Sequence, residues 1–106
     1  MTPLPDSVAR WTRLVEQQPA NELARFSLGK AWFDAGNFSA AKEHLALALA
    51  KKPDWMVVQI LLGKCHSALG DTAGARTAFD HALQLAISQN HEGPQAELQQ
   101  LLADLK

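Results

Sequence analysis

Apolar residues recur at spacings of three and four along several stretches of this chain, and glycine, proline, asparagine or aspartate punctuates the gaps. That pattern predicts amphipathic helices joined by short turns. The spacing places helices over 22–35 and 56–69, each ended by a two-residue breaker, Gly36-Asn37 or Gly70-Asp71. In both breakers the glycine can take the positive φ found past a helix end, and the Asn or Asp can cap the next helix. Second helices follow over 38–51 and 72–88. Pro53 closes the first of these, because proline cannot continue a helix, and Asp54 is expected to cap the helix after it.

Each pair of helices is a hairpin, and the hairpin is repeated. Shifting the sequence by 34 positions lays Leu28-Gly29-Lys30 on Leu62-Gly63-Lys64, Gly36 on Gly70, Ala41 on Ala75, and Ala48-Leu49 on Ala82-Leu83. Phe26 with Ile60, Asn37 with Asp71, Lys42 with Arg76 and Leu45 with Phe79 keep their character under the same shift. Glycine inside a helix is less stable than alanine by about 1 kcal/mol. Gly29 and Gly63 therefore point to a packing reason: a bare Cα lets a neighbouring helix come close. Ala41, Ala48, Ala75 and Ala82 supply small surfaces on the facing helix, with Leu28, Leu45, Leu49, Leu62, Phe79 and Leu83 filling the space around them.

This pattern resembles the tetratricopeptide repeat (TPR) family, whose motif of period 34 runs Trp-x2-Leu-Gly-x2-Tyr, then Ala-x3-Phe, then Pro. The first unit reads Arg25-x2-Leu28-Gly29-x2-Trp32, Ala41-x3-Leu45, Pro53. The second reads Gln59-x2-Leu62-Gly63-x2-His66, Ala75-x3-Phe79, with Ile87 at the proline position. The departures are Arg25 and Gln59 at the Trp position, Trp32 and His66 at the Tyr position, and Ile87. The resemblance implies an all-α fold: a right-handed superhelical stack of antiparallel helix hairpins, a TPR-like α-solenoid of about six helices.

The flanks fit the same scheme. Trp11, Leu14, Val15 and Pro19 fall under Leu45, Ala48, Leu49 and Pro53, so 6–18 reads as the second helix of a leading half-repeat, with Asp6 or Ser7 as its cap. Gly93-Pro94 can start a last helix over 95–105. Its apolar stripe is Leu98, Leu101, Leu102 and Leu105, with Gln95, Gln99, Gln100 and Asp104 outward. In register it carries Ala96-Glu97 instead of Leu-Gly, which reads as a cap. One domain is expected over 1–106: the leading helix at 6–18, repeats at 22–55 and 56–89, and a capping helix at 94–105.

In proteins of this family the first helices of successive repeats line a concave face that binds extended or helical peptides. By register that face would comprise Leu23, Phe26, Lys30 and Phe33, then Val57, Ile60, Lys64 and Ser67, with Trp55 at the repeat junction. The spacings of three and four put each set on one stripe. The implied function is a protein-interaction module in which the apolar residues bury a hydrophobic stretch of a peptide or partner protein. The lysines at one shared register, Lys30 and Lys64, would meet an acidic group or a C-terminal carboxylate. The alternative use of the same stripe is self-association into a homodimer. Family members that hold the tails of heat-shock chaperones use a clamp of Lys and Asn. The corresponding positions here are Phe26, Lys30 and Leu61, so that role is not expected.

Composition narrows the field further. The chain has 106 residues, 47% hydrophobic and 20% charged, which suits one globular core and argues against disorder throughout. A net charge of −1 argues against a nucleic-acid binder and a polybasic membrane anchor. The N-terminal residues lack the basic and apolar regions of a signal peptide, and the longest apolar run, near 45–50, is too short for a membrane span. A cytoplasmic location is the expectation. The single cysteine, Cys65, excludes an intramolecular disulfide and fits a reducing compartment.

Enzyme chemistry finds little footing. Adjacent helical residues point about 100° apart, so Cys65 and His66 do not face each other. Cys65 matches Ala31 in register and reads as a small buried residue, while His66 takes an aromatic packing position. His44, His66, His81 and His91 form no i, i+4 pair, and His44 and His81 read as ordinary exposed helix positions. Trp11, Trp32 and Trp55 read as packing anchors. No catalytic residue, metal or cofactor is expected.

Overall fold

The computed structural model describes residues 4–105, and within them the chain is all-helical. Six helices follow in order: α1 (Asp6–Gln17), α2 (Glu22–Asp34), α3 (Phe38–Lys51), α4 (Met56–Ala68), α5 (Thr72–Ser88) and α6 (Glu92–Asp104). They divide into two compact units that change over between Pro53 and Asp54. In the first unit α2 packs on α3 and α1 packs on α2; in the second α4 packs on α5 and α5 on α6.

The helix ends follow from residue type. Gly36 and Gly70 have φ of 82° and 81°. Past α2, the Asn37 N–H donates to the Trp32 carbonyl and the Gly36 N–H to that of Phe33, each at 3.0 Å. Past α4, Asp71 and Gly70 donate in the same way to His66 and Ser67. These paired bonds are the Schellman arrangement, which occupies carbonyls the helix itself leaves unpaired. Asn37 and Asp71 then cap the next helix, accepting from the Ala40 N–H at 3.1 Å and the Gly74 N–H at 2.9 Å. Asn21 caps α2 likewise through the Ala24 N–H, a signal the spacing had not singled out.

Proline ends α1 and α3 by a different route. Gln18 and Lys52 precede Pro19 and Pro53 and share a non-helical conformation, φ −134°, ψ 70° and φ −140°, ψ 81°. Proline forces its predecessor out of the helical region. Ile87 imposes no such restriction, and α5 runs to 17 residues against 14 for α3. It closes on Asn90, at φ 56°, with the His91 N–H donating to the Ala86 carbonyl at 2.9 Å.

Three expected starts are displaced. Asp6 is the first residue of α1 rather than its cap, so its carboxylate faces the positive end of the helix dipole, and Pro5 is the flanking residue. Trp55, not Asp54, flanks α4, and neither side chain caps it. The last helix begins at Glu92, earlier than the expected 95, because Pro94 fits in the first turn, where its missing N–H has no intrahelical partner to lose.

Each unit has its own core. Val8 and Val15 of α1 meet Ala24, Leu28 and Ala31 of α2, with Trp11, Leu14 and Trp32 packed against them. In the second unit Ala75, Phe79, Ala82 and Ala86 of α5 surround Leu98 of α6, flanked by Met56, Ile60, Leu83, Leu101, Leu102 and Leu105. The helical glycines do what their placement demanded. A Cβ on Gly29 would lie 2.9 Å from Leu45 Cγ, and one on Gly63 would fall 2.6 Å from Phe79 Cδ1. Gly63→Ala is therefore expected to destabilise the protein by about 1–3 kcal/mol through overpacking, despite alanine's better helix propensity. Urea denaturation followed by circular dichroism checks this; an unchanged or raised midpoint would show that the Phe79 ring is free to move aside.

Candidate partner-binding surface

The first helices of the two repeats, α2 and α4, carry the residues singled out by register. Leu23 on α2 and Val57 on α4 share one register and both stand open, 60% and 48% exposed. Phe26 and Ile60 share the next and are half-buried, Ile60 against the second unit's core. Phe33 turns toward α3, its ring edge-on to Phe38 at 5.4 Å between centroids and 77° between planes. Trp55 is half-buried at the head of α4, and Ser67 is exposed near its end.

Neither lysine is without a counter-charge. Lys30 Nζ lies 2.9 Å from Asp34 Oδ2, one turn on along the same exposed face. Lys64 Nζ reaches across to α6, where Glu97 Oε1 stands at 3.6 Å. Lys30 also borders a small cavity of about 200 Å³ against α1, with Ser7, Trp11, Ser27, Ala31 and Asp34.

The second unit brings three of the expected residues together. Val57, Ile60 and Lys64, with Met56 and Leu61, form one wall of a groove of about 380 Å³. His91, Pro94 and Glu97, at the head of α6, form the other. A second cavity of about 280 Å³ continues the same furrow, bounded by Lys64, Ser67 and Ala68 on α4 and Leu101, Asp104 and Leu105 on α6, with Phe79 beneath. Met56, Leu61 and the α6 wall were not foreseen. Met56 and Leu61 lie one turn from Ile60 and Val57, so the helical period carried that signal; the α6 wall depended on where that helix starts.

The polar residues at the aromatic register form a feature that sequence reading missed. Arg25 Nη1 donates to His44 Nδ1 at 3.4 Å, and Gln59 Nε2 donates to His81 Nδ1 at 3.0 Å. His44 and His81 are thus engaged with the first helix of their own hairpin, and His44 is half-buried rather than an ordinary exposed position. His66 also does more than replace an aromatic ring. Its Nδ1 faces Asp71 Oδ2 at 3.1 Å across the turn. Cys65 is completely buried, as Ala31 nearly is at the same register. Among the described residues no group of three His, Cys, Asp or Glu is placed to hold a metal ion, and no helix is long and apolar enough to cross a membrane.

Tandem antiparallel helix hairpins of 34-residue period, glycine-packed and glycine-turned, define a helical-repeat protein. The comparisons with known proteins agree. TPR repeat-containing protein PA0015 of Pseudomonas aeruginosa is 43% identical over 77 residues, which are 73% of this chain and 71% of that one. The chain belongs to the tetratricopeptide repeat family. The solution structure of protein BPP2914 from Bordetella parapertussis, 35% identical, matches 99% of this chain and 89% of its own with a TM-score of 0.80. PcrH from Pseudomonas aeruginosa, 22% identical, shares the fold over 94% of this chain and 76% of its own, with a TM-score of 0.84. PcrH in complex with the chaperone binding region of PopD matches over the same shares with a TM-score of 0.86. No family model matches the chain.

Two measurements test this description. Burial foremost, and then the Arg25 guanidinium, hold the His44 imidazole below its ordinary 6.5, with Glu43 pulling weakly the other way. Below 6.5 the unfolded chain takes up the proton first. The neutral-His44 contribution to stability is thus whole above that pH and is lost as pH falls through the lowered folded value. Unfolding midpoints between pH 7.5 and 5 should fall with acid, and less steeply in His44→Gln; equal slopes would refute the assignment. Separately, Cys65 should resist alkylation in the native protein and react on denaturation, as followed by mass spectrometry; rapid native labelling would contradict its burial.

Proposed function

We propose that this protein is a non-enzymatic interaction module that takes a segment of another protein along α4, in the groove faced by α6. The observation that carries this reading is the groove itself. Met56, Val57, Ile60 and Leu61 make one wall apolar, Pro94 faces it, and Val57 is left 48% exposed. Water is excluded from such a surface at a gain of about 25 cal/mol per Å² of apolar area covered. An amphipathic or extended segment with apolar residues at matching intervals fits it. The PcrH structure holding the chaperone binding region of PopD supports a protein as the partner class. Leu23, open at the Val57 register, and Phe26 offer the same kind of contact on the first unit.

The reading is tested with Val57→Asp against Leu47→Asp. Both replace exposed apolar residues, 48% and 49% exposed, but Leu47 lies on α3 of the first unit and does not line the groove. Neither should change the circular dichroism spectrum or the unfolding midpoint by more than about 0.5 kcal/mol. Panning a peptide library should give binders of the wild type that Leu47→Asp retains and Val57→Asp loses by tenfold or more, since burying an unpaired carboxylate is unfavourable by about 2 kcal/mol or more. Binders indifferent to Val57→Asp would place recognition elsewhere.

A further inference from the structure

We propose that the Lys64–Glu97 ion pair is a strap across the α4–α6 furrow, and that the segment which opens it is an amphipathic helix with an acidic residue between apolar anchors. This rests on the furrow being the docking surface. The two cavities of the furrow advance together along both helices. The first runs from Met56 to Lys64 opposite His91 to Glu97. The second runs from Lys64 to Ala68 opposite Leu101 to Leu105. Lys64 lines both, so its contact with Glu97 crosses the furrow where the cavities meet.

The contact has the character of a latch rather than a structural tie. At 3.6 Å it is longer than a hydrogen-bonded ion pair, and its side chains are 39% and 51% exposed. Pairs this open contribute little to stability, so exchanging one carboxylate for another is nearly free. A segment lying in both cavities must pass Lys64, the one ammonium among their described lining residues, and would cover it. A covered ammonium without a counter-charge is strongly unfavourable. The more exposed Glu97 can swing to solvent, and the incoming carboxylate takes its place. Asp104, the other acid among the described lining residues, already accepts a 2.9 Å hydrogen bond from Gln100 Nε2 and sits beyond the crossing. A basic segment would instead take Glu97 and strand Lys64 between apolar walls. The strap thus keeps Lys64 paired while the furrow is vacant and selects for negative charge when it fills.

The test uses the full chain and three fluorescein-labelled amphipathic helical peptides of about 15 residues. They share a leucine stripe and differ at one central position on it: Glu, Gln or Lys. Fluorescence anisotropy should show the Glu peptide binding about two- to fivefold tighter than the Gln peptide, with the Lys peptide weakest. Lys64→Gln should erase that order, Glu97→Gln should tighten the Glu peptide, and added salt should narrow the differences. Unfolding midpoints of both variants serve as folding controls. Equal affinities, or a preference for the Lys peptide, with binding still lost in Val57→Asp, would overturn the strap and leave the docking surface standing. Binding of none of the three, or binding unmoved by Val57→Asp, would overturn the docking surface and the strap with it.

Discussion

The close approach of two helices over a missing Cβ is the contact on which each hairpin depends. Gly29 receives the Leu45 side chain and Gly63 receives the Phe79 ring, and in neither case is there room for one more carbon. Leu45 and Phe79 are almost wholly buried as a result, and the alanines that face the first helices, Ala41, Ala48, Ala75 and Ala82, are sealed beside them. Interiors packed at this density transmit a displaced methyl to their neighbours. The groove inherits that precision, since Phe79 lies under one of its cavities and Ile60, on its wall, also packs on the second unit's core.

The two repeats are the same device fitted with different parts. Leu45 and Phe79 fill one role with different volumes. Arg25 and Gln59 replace the family's aromatic residue, and each recruits a histidine from its second helix, His44 and His81. Those histidines do not occupy equivalent registers: under the 34-residue shift His44 falls on Ala78, and His81 on Leu47. A polar pair needs reach and a counterpart, not a fixed place in the motif, and the long Arg and Gln side chains supply the reach. The helix ends vary in the same spirit. Asn21 and Trp55, flanking α2 and α4, lie 34 positions apart, whereas Trp55 and His91, flanking α4 and α6, lie 36 apart, because α5 runs on where proline would have stopped it.

Much of this was legible in the residues. The breakers Gly36-Asn37 and Gly70-Asp71 declared two helix ends and two caps, since few residue types accept positive φ and fewer then cap the next helix. The helical glycines declared tight packing. Legibility failed at local helix starts and where outcomes depended on residues far apart in the chain. Asp54 looked like a cap, but helix α4 begins one residue later, after Trp55. His44 looked solvated because its partner, Arg25, is 19 positions away. The furrow was half visible: Val57, Ile60 and Lys64 share a stripe on any helical projection. The wall that makes them a groove belongs to α6, whose start was read at 95 and lies at Glu92.

Replacing helical glycines by alanine is a common route to a more stable protein, because alanine loses less entropy on folding. This chain would answer that strategy unevenly. Gly74, in the first turn of α5, has no crowded core around it. A Cβ there would instead press on the Asp71 carboxylate that caps the helix and lie 2.8 Å from His66 Nδ1. The obstacle is the carboxylate that caps α5, which no count of buried apolar neighbours would flag. Gly93, in the first turn of α6, meets nothing within 4 Å beyond its chain neighbours, but it precedes Pro94, whose ring disfavours a helical conformation in any predecessor that carries a Cβ. Four helical glycines thus divide three ways: two as spacers between helices, one as clearance for a cap, and one as the helical residue that a following proline tolerates.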